Sequence, residues 1–222
     1  MRSFFLFKKI AFALFLSLFT LPVPAQVDHL EPVSGILGAY EFELTYRTMI
    51  RQVLFKDLSG RPSFRIVVTP SFAEEYVLSC ELEQAKEQHY LIYRRAEESI
   101  WNRSQGYSNG TDPIRTRTYR LKIDSTAHEQ LSELFYVALR QVKYPPPRDS
   151  FGVDGTTYRF MSSQHHPRLE GKVWSPQEDS KMGRLVQIVH KLCAYTEVPN
   201  RKKLRLLMPE VKALTEEIRL SD

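Results

Sequence analysis

Two adjacent histidines, His165 and His166, are the residues of this chain best suited to metal chemistry. Imidazole and carboxylate are the usual ligands of first-row metals, but a site needs three or four of them to converge. The nearby acidic residues are Asp149, Asp154, Glu170, Glu178 and Asp179. Adjacent residues rarely bind the same ion, and nothing in the spacing fixes a complete ligand set. A solvated loop is therefore the better interpretation, and we predict no metal and no cofactor.

Three aromatic residues near predicted loops suit the binding of a ligand. Trp101, Tyr107 and Trp174 offer flat amphipathic rings, which stack on sugars. The alternative is that these rings cover the edge of a hydrophobic core. The sequence leaves both interpretations open, a glycan platform and a core edge.

A basic run, Arg201, Lys202 and Lys203, offers a second binding surface. Phosphorylated lipid head groups or an acidic protein partner are the counter-charges that we expect for it. The alternative is a solvated linker before a helix. Nucleic acid is not expected as a partner, because the N-terminal sequence predicts export.

Short motifs that identify enzymes are absent from the sequence. It contains no glycine-rich phosphate loop, no Gly-x-Ser-x-Gly, no His-Glu-x-x-His and no Cys-x-x-Cys. Asp154 is a lone carboxylate before Gly155, and aspartate is common there for its turn geometry. These observations exclude the enzyme classes with clear signatures, but not families without one.

The first 25 residues have the order of an export signal. Lys8 and Lys9 precede an apolar run from Ile10 to Leu21, and Ala25 ends a small-residue cleavage site. The run is shorter than the ~20 apolar residues that a membrane span needs, and no later segment reaches that length. We therefore predict a signal peptide over residues 1–25, a periplasmic or secreted mature chain, and no transmembrane segment after cleavage.

Most of the excess positive charge belongs to this signal. The whole chain has 31 basic and 26 acidic residues, a formal charge of +5. Cleavage removes Arg2, Lys8 and Lys9 and no acidic residue, which leaves 28 basic residues and a charge of +2. The remaining length suits one domain with a single core.

Two cysteines, Cys80 and Cys193, remain after cleavage. An even number of cysteines in an oxidising compartment favours a disulfide. Both residues also fall on the apolar side of their predicted elements. We therefore predict a Cys80–Cys193 bridge, with two buried free thiols as the alternative.

Four segments between residues 63 and 123 predict strands: two alternate in side-chain character, and the other two are rich in β-branched or aromatic residues. Polar links separate them, which indicates an antiparallel meander. The segments are Ser63 to Thr69, Tyr76 to Leu82, Tyr90 to Tyr93 and Ile114 to Ile123. A further hairpin is expected around Asp154-Gly155, because Asp-Gly supplies the positive φ angles of a two-residue turn.

Apolar residues at three- and four-residue spacing predict helices elsewhere. Capping boxes mark two of the starts, at Ser175 and at Thr126. The predicted helices run from Ala39 to Leu58, from Thr126 to the prolines that begin at Pro145, from Ser175 to Tyr195 and from Glu210 to Leu220. A short strand at the start of the first helix is an alternative, because Tyr40, Phe42, Leu44 and Tyr46 also alternate.

Strands in runs, without regular helical crossovers, indicate an α+β fold. We predict a mainly antiparallel sheet of about five strands with three to four helices, largely on one face. Residues 26–198 are expected to form a single α+β domain. Residues 199–222 are expected to be a basic linker and a C-terminal helix that packs on that domain.

Three segments, together with the signal peptide, carry a resemblance. They are Arg61 to Val68, Val153 to Tyr158 and Val173 to Pro176. In these segments the chain resembles small uncharacterised exported proteins of Gram-negative bacteria. The resemblance implies a periplasmic or secreted location and supplies no catalytic or binding residue.

The functional expectation is binding without catalysis. Export, moderate size and the lack of a convergent polar cluster favour an interaction protein whose partner is an unknown protein or an envelope component. One alternative is a hydrolase acting on envelope or other polymers, with carboxylates and His165 or His166 in its site. Another alternative is an immunity-type inhibitor of a periplasmic toxin.

Overall fold

The computed structural model describes residues 28–33, 40–108, 110, 112–145, 154–163 and 168–221. These residues form an antiparallel sheet of six strands with five helices, which confirms the predicted α+β class. The predicted signal peptide and the histidines His165 and His166 lie outside the described residues.

The sheet has the strand order β4-β3-β2-β1-β5-β6. Its strands are β1 Phe64–Pro70, β2 Tyr76–Glu83, β3 Gln88–Ala96, β4 Thr116–Lys122, β5 Thr156–Ser162 and β6 Leu169–Trp174. The helices are α1 Glu41–Leu54, α2 Ile100–Ser104, α3 Ser125–Arg140, α4 Lys181–Glu197 and α5 Arg201–Arg219. In the described part of the chain, no helix combines the length and the apolarity needed to cross a membrane.

The two faces of the sheet are covered differently. Helices α3, α4 and α5 cover one face and enclose the main core, in which Phe135 contacts Phe64 and Phe160. On the other face α1 and α2 bury a smaller cluster around Val67 and Val77. Three of the five helices thus share one face, and the other face is only partly covered.

The meander β1 to β4 and helix α1 agree with the predictions for that half of the chain. The predicted hairpin at Asp154-Gly155 is wrong. Strand β5 pairs with β1 on one side and with β6 on the other, so neither edge is free for a strand before residue 154. Instead, Gly155 lies beside Ser71, whose backbone N–H donates to the Gly155 carbonyl at 2.9 Å.

Helix α4 begins later than its sequence predicted. Its N-cap is Ser180, whose side chain accepts from the N–H of Gly183 at 2.9 Å. Ser175, the predicted cap, has a positive φ of 38° and ends β6, where its hydroxyl accepts from the N–H of Thr156. The polar link before this helix contains β6, which the sequence did not predict.

The basic run is not a linker, because Arg201, Lys202 and Lys203 form the first turn of α5. Asn200 caps this turn through a bond of 2.9 Å from the N–H of Lys203 to its side-chain oxygen. The helix continues through Pro209, and its buried stripe faces α3 and α4. That stripe is Leu204, Leu207, Val211, Leu214 and Ile218.

The predicted disulfide is wrong, because Cys80 and Cys193 are both free and buried. Cys193 lies near Tyr76, whereas Cys80 is four residues further along the same strand. Four residues of a strand span about 13 Å, but bridged cysteines have Cα atoms roughly 4–7 Å apart. Both thiols face the same core from different ends of the sheet, and burial raises the pKa of each.

Candidate functional site

A pocket of about 890 Å³ lies on the partly covered face of the sheet. Strands β1 and β5 form its floor through Val67, Arg65 and Arg159, and α1 forms one wall. Trp101 of α2 closes one end. This volume is typical of sites for small organic ligands.

A buried carboxylate, Glu75, fixes both helices that wall the pocket. Its side chain is fully buried and accepts from the Tyr46 hydroxyl of α1 at 2.9 Å. It also accepts from the first backbone N–H groups of α2, those of Ile100 at 2.8 Å and Trp101 at 2.9 Å. A carboxylate at a helix N-terminus is favoured by the helix dipole. Burial and the Glu75 charge together raise the pKa of Tyr46, which keeps its hydroxyl protonated as the donor.

Aromatic rings form the rim of the pocket. The ring of Trp101 meets those of Tyr46 and Phe42 edge to face, with centroids 5.1 and 6.0 Å apart. Tyr40 stacks on Phe42 at 5.6 Å, and 45% of Phe42 remains exposed. The structure thus places Trp101, a predicted binding residue, in an aromatic cluster that a ligand can reach.

Arg65 in the pocket floor is fully engaged by its neighbours. It is 4% exposed, and its Nη2 lies 2.8 Å from Glu81 Oε1. Its Nε donates to Ser79 Oγ at 3.0 Å and its Nη2 to the Ser59 carbonyl at 2.7 Å. The guanidinium also lies 4.6 Å from the centre of the Phe55 ring. These contacts give Arg65 a structural role.

Arg159, in the same floor, has no such partners in the described part of the chain. No described residue offers it a hydrogen bond or a carboxylate within ion-pair distance. Burial, and then the charge of Arg47, lower its pKa, although a guanidinium stays protonated at neutral pH. The floor therefore holds a half-buried positive charge without a counter-charge in contact.

Glu170 and Glu43 attract the charge of Arg159, but neither forms an ion pair with it among the described contacts. Arg47 and Arg51 of α1 form no ion pair with any residue that the structure describes. Glu170 pairs with Arg168 at 2.7 Å, and Glu43 accepts from the backbone N–H at the start of α1 at 3.3 Å. The pocket is therefore positively charged.

The remaining predicted binding residues lie elsewhere. Tyr107 is 79% exposed in the loop after α2, and Trp174 ends β6 beside Gly155. Arg201, Lys202 and Lys203 are exposed on α5, which belongs to the opposite face of the sheet. Among the residues predicted to form a binding surface, Trp101 lines the pocket.

Arg159 was missed because a single arginine in a strand normally points to solvent. The available signal was its pattern, since Arg65 and Arg159 both stand between apolar residues in the middle of predicted strands. Such an arginine points to the face opposite the core, and that face is exposed only if no helix covers it. The position of α1 therefore determines whether Arg159 is covered, and the sequence does not show that position.

Three residues that can ligate a metal converge on the helix-covered face of the sheet: Cys80, His89 and His128. One ligand atom from each lies within 4.8 Å of the others. The two imidazole rings stack with centroids 3.5 Å apart, and His128 Nε2 lies 2.8 Å from Ser63 Oγ. No other group of this kind was found among the described residues.

We expect stability to fall in acid because of His128. Burial and then the neighbouring charge of His89 lower the pKa of His128 from 6.5 to about 4. Between these pH values the unfolded chain binds the proton more readily, so the free energy of unfolding falls as pH falls. Because the ring is only half-buried and solvent screens it, we expect a loss of roughly 2 kcal/mol between pH 7 and pH 4.

Urea denaturation in EDTA, at several pH values between 7 and 4, measures this loss. His128→Gln should remove much of it. His190→Gln should remove a smaller part, because burial also lowers the pKa of His190, whose Nε2 lies 3.0 Å from the Tyr158 hydroxyl. An equal loss in the wild type and in His128→Gln would contradict the assignment.

Comparisons with family models, with curated proteins and with solved structures gave no match for this chain. The resemblance to small exported proteins of Gram-negative bacteria therefore stays a prediction.

Proposed function

We propose that this protein binds a small organic anion, a carboxylate or phosphate that carries an aromatic or apolar group, in the pocket beneath α1. The observation that carries this proposal is the half-buried guanidinium of Arg159 in the pocket floor, which has no partner among the residues that the structure describes. The predicted export signal suggests that binding takes place in the periplasm or outside the cell.

Arg159 favours an oxyanion for a geometric reason. A guanidinium presents paired N–H donors that match the two oxygens of a carboxylate or phosphate. Removing such a charge from water is costly unless it gains a partner, and Arg47 adds repulsion. A bound anion would supply the missing counter-charge.

The aromatic rim favours a ligand with a flat or apolar part. Trp101 and Phe42 lie at the rim, and Phe42 is partly exposed. An aromatic ring placed against them gains from area burial and from edge-to-face contact. Together the rim and Arg159 would recognise the two ends of one ligand.

The acidic residues among the described residues that line the pocket favour ligand binding over hydrolysis. A pair of carboxylates for glycoside chemistry must be free to act on the substrate. Glu170 is paired with Arg168, and Glu43 serves the start of α1. The hydrolase and immunity-protein alternatives stay predictions without a supporting observation in this pocket.

The test is calorimetric titration with matched probes in buffer that contains EDTA. Phenylacetate and phenyl phosphate are compared with their neutral counterparts, phenylacetamide and phenol. We expect the anions to bind more tightly, and Arg159→Met to weaken them by roughly 10- to 100-fold, because charge-assisted hydrogen bonds contribute about 1.5–3 kcal/mol. The thermal midpoint of Arg159→Met should match or exceed that of the wild type, since an unpartnered charge is removed.

Arg201→Met is the matched control, because it removes an exposed arginine from the basic turn of α5. It should leave the affinity for the anions unchanged. Equal affinity for charged and neutral probes would contradict the proposal. A loss in Arg201→Met with none in Arg159→Met would move the site to α5.

A further inference from the structure

The fold brings Cys80, His89 and His128 together from three different elements. In the pairing of β2 with β3, Leu82 lies opposite His89, so Cys80 and His89 are diagonal neighbours on the same face. His128 arrives from the first turn of α3. The connection before α3 is tied to β3, since the N–H of Ile123 donates to the His89 carbonyl at 3.1 Å.

The donor atoms of these residues are close enough for one ion. Zn²⁺ binds sulfur at about 2.3 Å and imidazole nitrogen at about 2.0–2.1 Å, so donors on a shared ion lie roughly 3–4 Å apart. The three donors all lie within 4.8 Å of one another, and small side-chain movements close the difference. A bound ion lies in the plane of each imidazole, so loading would tilt apart the His89 and His128 rings, now 13° from parallel.

Two further features of the group fit a bound ion. His89 Nδ1 is buried and has no hydrogen-bond partner within the described structure. Six other buried polar atoms of the described residues also lack a partner, so the convergence of the three donor atoms is the main argument for an ion. The other feature is Ser63, whose hydroxyl contacts His128 Nε2 at 2.8 Å. Hydroxyls that orient ligands in this way surround many metal sites.

The donor set selects the kind of ion. A thiolate with two imidazoles suits Zn²⁺ and disfavours Mg²⁺ and Ca²⁺, which prefer oxygen ligands. Three protein ligands leave a fourth tetrahedral position for water. The ion would displace the thiol proton of Cys80 to solvent, because the thiolate is the ligand.

We propose that Cys80, His89 and His128 form a Zn²⁺ site that joins β2, β3 and the start of α3. It lies on the opposite face of the sheet from the anion pocket, and it does not depend on the function proposed for that pocket. By linking a helix to two strands, the ion would stabilise the fold.

The test uses metal-free, untagged full-length chain under reducing conditions. Titration with Zn²⁺ should show one ion per chain, and Co²⁺ should produce the intense absorption of a tetrahedral site with a thiolate-to-metal band. Cys80→Ser and His128→Gln should each weaken Zn²⁺ binding at least 10-fold, which is the usual scale for loss of a ligand or its support. His89→Gln should behave in the same way.

Cys193→Ser and His190→Gln are the matched controls, a second buried cysteine and an exposed histidine that should leave Zn²⁺ affinity unchanged. Zn²⁺ should also slow alkylation of Cys80 more than that of Cys193, as peptide mass mapping would show. The Co²⁺ band and the alkylation pattern are measured on the wild type, so they do not depend on the folding of a variant. Absence of the thiolate band, or equal affinity in Cys80→Ser and the wild type, would overturn the proposal.

Discussion

Glu75→Ala is expected to lower the free energy of unfolding by at least about 3 kcal/mol. The change removes a buried carboxylate that accepts three hydrogen bonds, and it leaves the Tyr46 hydroxyl and the N–H groups of Ile100 and Trp101 without their partner. Bonds to a charged group contribute about 1.5–3 kcal/mol each. Urea denaturation at pH 7 measures the loss.

The neighbouring Glu74 provides a matched control, because it is exposed. Glu74→Ala should change stability little. Glu75→Ala should also weaken any anion that binds the pocket, since both walls depend on Glu75. If Glu75→Ala unfolded at the same urea concentration as Glu74→Ala, the proposed role of Glu75 would be wrong.

Glu81→Leu is expected to cost about 3–5 kcal/mol, because it leaves the buried guanidinium of Arg65 without a counter-charge. Glu81 also accepts from the N–H of Ser59 at 3.0 Å and from the Ser79 hydroxyl. The double variant Arg65→Met with Glu81→Leu should recover much of the loss, since apolar side chains can replace a buried ion pair at little cost. Urea denaturation of the four proteins forms a double-mutant cycle.

Glu83→Leu is the comparison for this cycle, because Glu83 pairs with Lys86 and Arg120 at the surface. It should change stability little, as surface pairs contribute little. A double variant less stable than Glu81→Leu alone would show that Arg65 has a favourable role beyond its pair with Glu81.

The first half of the fold could be predicted because its signals are local. Strands β2 and β4 largely alternate apolar and polar residues, β1 and β3 are rich in β-branched or aromatic residues, and the four strands pair in sequence order. In the second half the deciding interactions are long-range. β6 is a strand because it pairs with β5, although its alternation is interrupted by Gly171, which packs against Leu30 and Val142.

The C-terminal helix shows how packing outweighs local propensity. Pro209 normally breaks a helix, since it removes one hydrogen bond and clashes with the preceding turn. In α5 five apolar residues at regular spacing are buried on both sides of Pro209. Their burial against α3 and α4 keeps the helix continuous, so its start lies at Arg201 and not at the predicted Glu210.

The candidate sites were harder to predict than the elements that carry them. Trp101 could be chosen as a candidate binding residue because of its aromatic side chain alone. Arg159 matters only because α1 lies above it, and His128 reaches Cys80 only because α3 docks on that part of the sheet. Side-chain alternation places Cys80 and His89 on one face, but helix docking determines the third ligand.

The central strand, β1, sets an order for folding. It pairs with β2 through a short turn and with β5 from a distant part of the chain, where the paired residues Thr69 and Thr157 are 88 positions apart. Closing such a long loop is slow, so β1 to β4 can pair before β5 does. Until β5 pairs, one edge of β1 stays open. The unpaired backbone groups of that edge would favour aggregation in nascent or truncated chains. Pairing of β5 with β1 removes this exposed edge and so protects the chain.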